Sequence, residues 1–209
     1  YKEAAEKGFA PAEYALSYLY KNAEGCEKND IKAFYWLEEA ADNDFEDAYY
    51  ILGQSYLEGN SIIETNYKKA FFYLSKGVNK KDKNCLESLG DMYYWGLYVK
   101  EDKEKAFSLY KDSIEEGNVS LYYKLGKLYE QEDNLEEALV NYYKGDENGD
   151  ISSTQRLGVM YLNGEGVIED KEKGLEYIKK AVKVGDANSI YILGVALLKK
   201  DREKSKKYL

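Results

Sequence analysis

One dipeptide recurs along this chain of 209 residues and limits what it can fold into. It stands as Leu52-Gly53, Leu89-Gly90, Leu125-Gly126, Leu157-Gly158 and Leu193-Gly194, with Leu16-Ser17 as a weaker first copy. Three residues beyond the Gly or Ser comes a tyrosine: Tyr20, Tyr56, Tyr93, Tyr129 and Tyr161, with Leu197 in the last copy. A period of roughly 36 residues is that of a repeat architecture, in which each copy buries its apolar face only against its neighbours.

Each copy reads as two helices. In the first, Ala48, Ile51, Leu52, Ser55 and Tyr56 fall on one face at helical spacing. The Gly there removes a side chain so that a second helix can come close, which offsets the usual helical penalty of Gly, about 1 kcal/mol. The second helix is anchored on a small residue: Ala33, Ala70, Ala106, Ala138, Gly174 and Ser205. Large apolar residues follow three and four places on, as in Trp36-Leu37, Tyr73-Leu74, Leu109-Tyr110 and Tyr177-Ile178. Small and large residues alternating on one stripe suit interlocking helix surfaces.

The helix starts are marked. Four residues before each anchor stands an N-cap residue: Asn29, Asn66, Asp102, Asn134, Asp170 and Asp201. Gly117, Gly149 and Gly185, with Gly8 as their counterpart, are expected to end helices in the left-handed conformation. The step from an anchor to the next Gly is constant, 33 to 53, 70 to 90, 106 to 126, 138 to 158 and 174 to 194. The step from the Gly to its own anchor varies. Insertions therefore fall in the loop inside each copy, whereas the junction between copies is fixed by packing. In that loop Val99 and Val167 are expected to tuck beneath the chain.

These residues resemble the Sel1-like repeat family. The match is carried by Ala48-Tyr-Tyr-Ile-Leu-Gly-Gln-Ser-Tyr-Leu-Glu-Gly59 and by Asn163-Gly-Glu-Gly-Val-Ile-Glu-Asp-Lys-Glu-Lys-Gly174. The resemblance implies an all-α fold, a right-handed α-α superhelix or solenoid of about six helix pairs related to tetratricopeptide repeats. It also implies a scaffold or adaptor that binds proteins. The expected copies are 10–44, 46–81, 83–117, 119–149, 151–185 and 187–209, within a single solenoid over 1–209. The fourth copy lacks the loop glycines and looks like a tetratricopeptide repeat, and the sixth is shortened. The family's disulfide-rich branch has Cys pairs in each repeat. Here only Cys26 and Cys85 occur, two copies apart, and both read as free thiols.

Composition narrows the function. The chain carries a net charge of -9, which disfavours phosphate backbones, so no nucleic-acid partner is expected. The apolar run Ile190 to Leu198 is too short to cross a bilayer, so no membrane insertion is expected. Tyr1–Gly8 aligns with Tyr110–Gly117, so the chain is expected to begin in the middle of a repeat. Cytoplasmic, periplasmic and secreted settings all stay open. The same reasoning leaves end-to-end self-association through the terminal repeats as an option.

There is no His, so the commonest general base and metal ligand are missing, and neither a metal nor a cofactor is expected. Ser108-Leu-Tyr-Lys111 fits the Ser-x-x-Lys pattern of penicillin-recognising enzymes, but lacks that group's companion motifs. A weak serine hydrolase is the enzymatic alternative; a regulatory or spacer segment of a larger protein is the third. Gly164-x-Gly has no following Gly-Lys-Ser/Thr and reads as a turn. The acidic clusters Glu130–Asp133 and Glu165–Asp170 lack the ligand spacing of a calcium loop.

Partner contacts are therefore sought on the first helices, at positions the repeat pattern does not use for packing. The candidates are Tyr14, Tyr18, Tyr50, Gln54, Asp91, Tyr94, Trp95, Tyr123 and Lys127, then Gln155, Val159, Leu162, Tyr191 and Val195. The earlier ones are aromatic and polar; the later ones are mostly apolar. Tyr and Trp bury much area at small entropic cost, which makes them good anchors.

Overall fold

A computed structural model describes residues 1–206, with side chains as far as Leu198. The described residues form helices and turns, with no strand. They divide into two compact units, Tyr1–Asn118 and Val119–Leu209.

The first unit opens with the single turn α1 (Lys2–Ala5). Three helix pairs follow: α2 (Ala10–Asn22) with α3 (Asp30–Asp42), α4 (Asp47–Glu58) with α5 (Tyr67–Asn79), and α6 (Lys83–Trp95) with α7 (Lys103–Glu115). The second unit holds α8 (Leu121–Gln131) with α9 (Leu135–Glu147), α10 (Ile151–Asn163) with α11 (Lys171–Lys183), and α12 (Ala187–Lys206). Within each unit a pair stacks on the next, as α5 does on α6 and α9 on α10.

At four of its five positions the recurring Gly does what its spacing predicts, Gly194 being the exception. A methyl group on Gly53 would lie 2.4 Å from Leu74, one on Gly90 2.6 Å from Tyr110, and one on Gly126 2.4 Å from Tyr142. On Gly158 it would lie 2.6 Å from Ile178. In every case the neighbour is the large residue four places after the anchor of the paired helix. Leu74, Tyr110, Tyr142 and Ile178 are all fully buried. Each of these four pairs is thus locked by one large side chain laid across a bare stretch of backbone.

The caps follow the sequence at the first five second helices. Asn29, Asn66, Asp102, Asn134 and Asp170 each accept a hydrogen bond from a backbone N–H in the first turn. The sixth differs. Residues 187–206 form one continuous helix, so Asp201 lies inside α12 and does not start a new helix. The reason is local: residues 195–204, Val-Ala-Leu-Leu-Lys-Lys-Asp-Arg-Glu-Lys, contain no Gly or Pro and several strong helix formers. The packing expected of Ser205 and the helix end at Leu209 lie outside the described side chains.

Gly8, Gly117, Gly149 and Gly185 all take positive φ, as expected. The equivalent positions in the first two full copies are held by Asp44 and Lys81, also at positive φ. Asp44 is secured there by hydrogen bonds from the Tyr49 hydroxyl and from Lys76. Val167 is half-buried and packs against the Ala138–Tyr142 cluster, and Ile63 enters the first unit's core in the same way. Cys26 and Cys85 are both free thiols. Cys85 is buried, and that burial pushes its thiol pKa well above the ordinary value, so it behaves as a small apolar residue.

Candidate functional site

The residues nominated on the first helices separate into two groups by what they touch. Several serve the junction between copies. The Tyr14 ring lies 4.8 Å from that of Phe45, and burial, aided by the charge of Asp47, raises its pKa. The Gln155 side chain donates to Asp186 at 2.8 Å and to Ser189 at 3.0 Å, and accepts from Asn188. Glu87, in the same position of its copy, accepts from Asn118 at 2.9 Å. Each of these pairs joins the third residue before the Gly to the start of the next first helix. In these three copies that position is therefore a stacking contact.

Others are also engaged. Gln54 donates to the Tyr50 hydroxyl at 3.2 Å and to Ser88 at 3.1 Å. Asp91 accepts from the Tyr110 hydroxyl at 2.6 Å. Tyr94 is buried between Trp95 and Phe107. Tyr123 is half-buried beside Tyr142. Lys127 is exposed and pairs with Glu130 at 3.6 Å. Tyr18 and Trp95 are exposed, but on different helix pairs and not in a shared recess.

The remaining four, Val159, Leu162, Tyr191 and Val195, meet. They line one cleft between α10, α11 and α12, with a volume of about 810 Å³. Leu175, Ile192 and Ala196 complete its apolar floor, and Asn163, Glu169, Lys171 and Glu172 form its rim. Lys171 pairs with Glu169 at 3.3 Å. Tyr191 is 71% exposed, and no described residue covers it as Phe45 or Asn118 covers the equivalent position elsewhere. Leu197 and Leu198 extend the apolar surface along α12.

Why α10 and α12 diverge can be read from their surroundings. Asp150 and Asp186 cap the two helices alike, accepting from Ser153 and Ser189. Hydrogen bonds from Ser189 hold the Asp186 carboxyl below the usual carboxylate range. Gly158 receives Ile178 of α11, whereas among the described residues Gly194 has no atom within 4 Å of where a methyl would sit. α12 carries the first-helix pattern, and among the described residues no second helix of its own packs on it. Sequence reasoning missed Leu175, Ile192 and Ala196. Their signal was available: they are apolar residues adjacent to the core stripe, at positions where other copies carry Phe34, Ile51 and Ser55.

The chemistry the cleft offers is apolar burial with a polar rim. Ser108 and Lys111 do not form a reactive pair: both are exposed on α7 and no hydrogen bond joins them. Among the described residues no His/Cys/Asp/Glu cluster could hold a metal, and no helix is long and apolar enough to cross a membrane.

A family model described as Sel1 repeat matches residues 10–45, 46–82, 85–118 and 152–186. Among curated proteins, an uncharacterized protein of Neisseria meningitidis is 32% identical over 59% of this chain and 25% of its own length. The chain spans between 16% and 29% of the length of the first curated relatives it matches. Among solved structures, the protective antigen c5321 of uropathogenic Escherichia coli, described as displaying an SLR fold, superposes with a TM-score of 0.77. It is 27% identical, over 94% of this chain and 43% of that one. A Sel1 repeat protein from Oxalobacter formigenes gives a TM-score of 0.74 at 26% identity, over 89% of this chain and 77% of its own.

Proposed function

Because this chain belongs to the Sel1 repeat family, we propose that it is a non-enzymatic protein-interaction module with the α10–α11–α12 cleft as its principal contact site. One observation carries the choice of site. Of the fourteen positions nominated as ones the repeat does not fix, Val159, Leu162, Tyr191 and Val195 share a single recess, and the other ten do not line it. A preformed recess of this size lets a partner bury apolar groups while little of the receiving chain has to be ordered, so contact area converts efficiently into affinity. Aromatic Tyr191 at the mouth supplies a rigid anchor.

The experiment is site-specific photo-crosslinking in extracts of the source cells. A photoreactive residue at Tyr191 or Val195 is expected to capture a protein that one at exposed Glu104 on α7 does not. Val195→Asp, which puts a charge on the cleft floor, is expected to remove that product. Equal capture at all three positions, or an unchanged product with Val195→Asp, sinks this choice of site.

A further inference from the structure

Two copies of the repeat build the same cluster and finish it differently. In the first unit Tyr56 of α4 stacks on Tyr73 of α5, with ring centroids 6.1 Å apart and planes 5° from parallel. Lys69, the residue before the Ala70 anchor, lies over the Tyr56 ring at 4.7 Å and donates to its hydroxyl at 2.7 Å. In the second unit Tyr161 of α10 stacks on Tyr177 of α11 at 5.9 Å and 9°. Lys173, the residue before Gly174, lies over the Tyr161 ring at 4.2 Å and donates to its hydroxyl at 2.7 Å. What differs is the fifth residue after the anchor of the preceding second helix. It is Glu38 on α3 and Tyr143 on α9. Glu38 accepts from the Tyr56 hydroxyl and, at 3.0 Å, from Lys69, so its carboxylate takes up both donors. Tyr143 offers a hydroxyl instead, which hydrogen-bonds that of Tyr161 and brings no negative charge.

The second cluster therefore has donors to spare. Lys173 forms no ion pair among the described residues. Asp146 is paired with Lys180 at 2.6 Å, and Asp170 accepts from the Lys173 backbone N–H as the cap of α11. The hydrogen bond to Tyr161 raises the Lys173 pKa, so the ammonium stays charged. The hydrogen bonds from Lys173 and then from Tyr143 lower the Tyr161 pKa, whereas burial and then the bond to Glu38 raise that of Tyr56. The surroundings of Lys173 and Tyr143 thus favour negative charge on an oxygen placed among them. Both side chains are half-buried, which leaves them reachable, and the ring beneath Lys173 fixes where its charge sits. We propose that Lys173 and Tyr143 form a receptor for one carboxylate of a partner protein, an Asp or Glu side chain that accepts from both as Glu38 accepts from Lys69 and Tyr56. This rests on reading the chain as an interaction module, and it adds a charged contact made by residues that do not line the cleft.

The test uses the chain with its tyrosine rings isotopically labelled and two peptides, acetyl-Gly-Glu-Gly-amide and acetyl-Gly-Gln-Gly-amide, titrated at constant ionic strength. The glutamate peptide is expected to give saturable NMR shifts at Tyr143 and Tyr161, and none at Tyr56, where Glu38 already takes up the donors. Its affinity is expected in the millimolar range, since one partly exposed charged contact is worth little alone. The glutamine peptide is expected to give no shift. Lys173→Met keeps most of the apolar stem, removes the charge and is expected to abolish the shifts. Glu38→Tyr copies the second cluster into the first and is expected to create them at Tyr56. Four results overturn the proposal: no saturable shift, equal shifts with the glutamine peptide, equal shifts at Tyr56 in the unaltered chain, or shifts that persist in Lys173→Met. Should the crosslinking at Tyr191 and Val195 succeed while the peptide fails, the interaction reading stands and this carboxylate site falls. Should the peptide bind while the crosslinking fails, this site stands and the choice of cleft falls.

Discussion

α10 and α12 carry the same pattern and have opposite fates. In α10, Leu157 and Met160 are fully buried, and Ile178 of α11 lies against Gly158. In α12, Gly194 faces open space, and Tyr191 and Leu198 are 71% and 67% exposed. Both are helices, because local propensity and an Asp cap suffice for that. Only α10 is a core element, because burial is conferred by the neighbour and not by the pattern. A repeat sequence therefore specifies a surface that calls for a neighbour. Among the described residues α12 presents that surface without a paired second helix, so residues that build a core in α10 are exposed there.

The largest test of that contrast is Gly158→Ala. The added methyl would sit 2.6 Å from Ile178 Cδ1, 2.8 Å from its Cγ1 and 3.1 Å from the Gly174 carbonyl oxygen. The isoleucine tip can move, but the backbone oxygen cannot move without shifting α11. Overpacking of this kind is expected to cost about 2 kcal/mol, read as a lowered denaturant midpoint. A loss well under about 0.5 kcal/mol would mean that the α10–α11 pair is not locked at the glycine, and the contrast with α12 would lose its basis.

The next test concerns what holds α10 from outside the pattern. Arg156 on α10 donates to Glu130 of α8 at 2.5 Å and pairs with Glu165 at 2.7 Å. Glu130 also accepts from the buried Tyr142 hydroxyl at 2.9 Å. Arg156→Met leaves the Glu130 carboxylate with only Lys127 for a cation, and is expected to cost about 2 kcal/mol, since the group is largely shielded from water. Burial alone would raise the Glu130 pKa, but the hydrogen bonds from Arg156 and Tyr142 and the nearby cations outweigh it, so the pKa is lowered. A carboxylate with a depressed folded pKa stabilises above its unfolded value of about 4.3 and loses that contribution as pH falls through the lower one. The stability gap between the native chain and Glu130→Gln should therefore be full at pH 7 and shrink below about pH 4. A gap independent of pH would assign the Gln effect to packing and leave α10 and α12 differing in Gly158 alone.

Much of this was legible in the residues. The helix pairs, five of the six second-helix caps and the terminating glycines follow from side-chain chemistry that acts within a few residues. The failures come from relations between copies. Asp201 has the right spacing for a cap, but capping requires the chain to leave the helix before it, and the segment from Val195 offers no residue that breaks one. Tyr14 and Gln155 looked free because the stripe within one helix does not use them. They are spent on Phe45 and Asp186, 31 residues further on, which only the stacking of copies brings near. Tyr94 has the composition of an anchor and the burial of a core residue. Of the cleft's lining, Val159, Leu162 and Val195 stood out as apolar where the repeat leaves freedom and Tyr191 as a tyrosine three before the Gly, while Leu175, Ile192 and Ala196 needed the placement of α11 against α12.

A third, smaller effect probes the stacking junction below α10. Ser153 is fully buried, and its hydroxyl has no hydrogen-bond partner. It occupies the position of Ala48 and Cys85, five residues before the Gly, where the junction accepts a small apolar group. Ser153→Ala removes an unsatisfied hydroxyl and is expected to stabilise by about 1 kcal/mol. A loss instead would show that the hydroxyl is satisfied in solution. The junction would then be looser, and closer in character to α12, than its burial indicates.

The smallest effect falls on α12 itself. At Gly194 nothing among the described residues lies within 4 Å of the added methyl, so Gly194→Ala is expected to change only the helix's own preference. Ala is favoured over Gly inside a helix by about 0.5–1 kcal/mol, mostly through the entropy of the unfolded chain. Because α12 lies at the edge of its unit, the gain should appear locally, as slower amide exchange over Val195 to Leu198, with little change in the global denaturant midpoint. The same Gly-to-Ala change would thus loosen one copy and tighten another, in opposite directions at equivalent positions of one sequence pattern. Faster exchange in the free chain would mean that in solution something already lies against Gly194, as Ile178 lies against Gly158, and that the cleft is filled before any partner arrives.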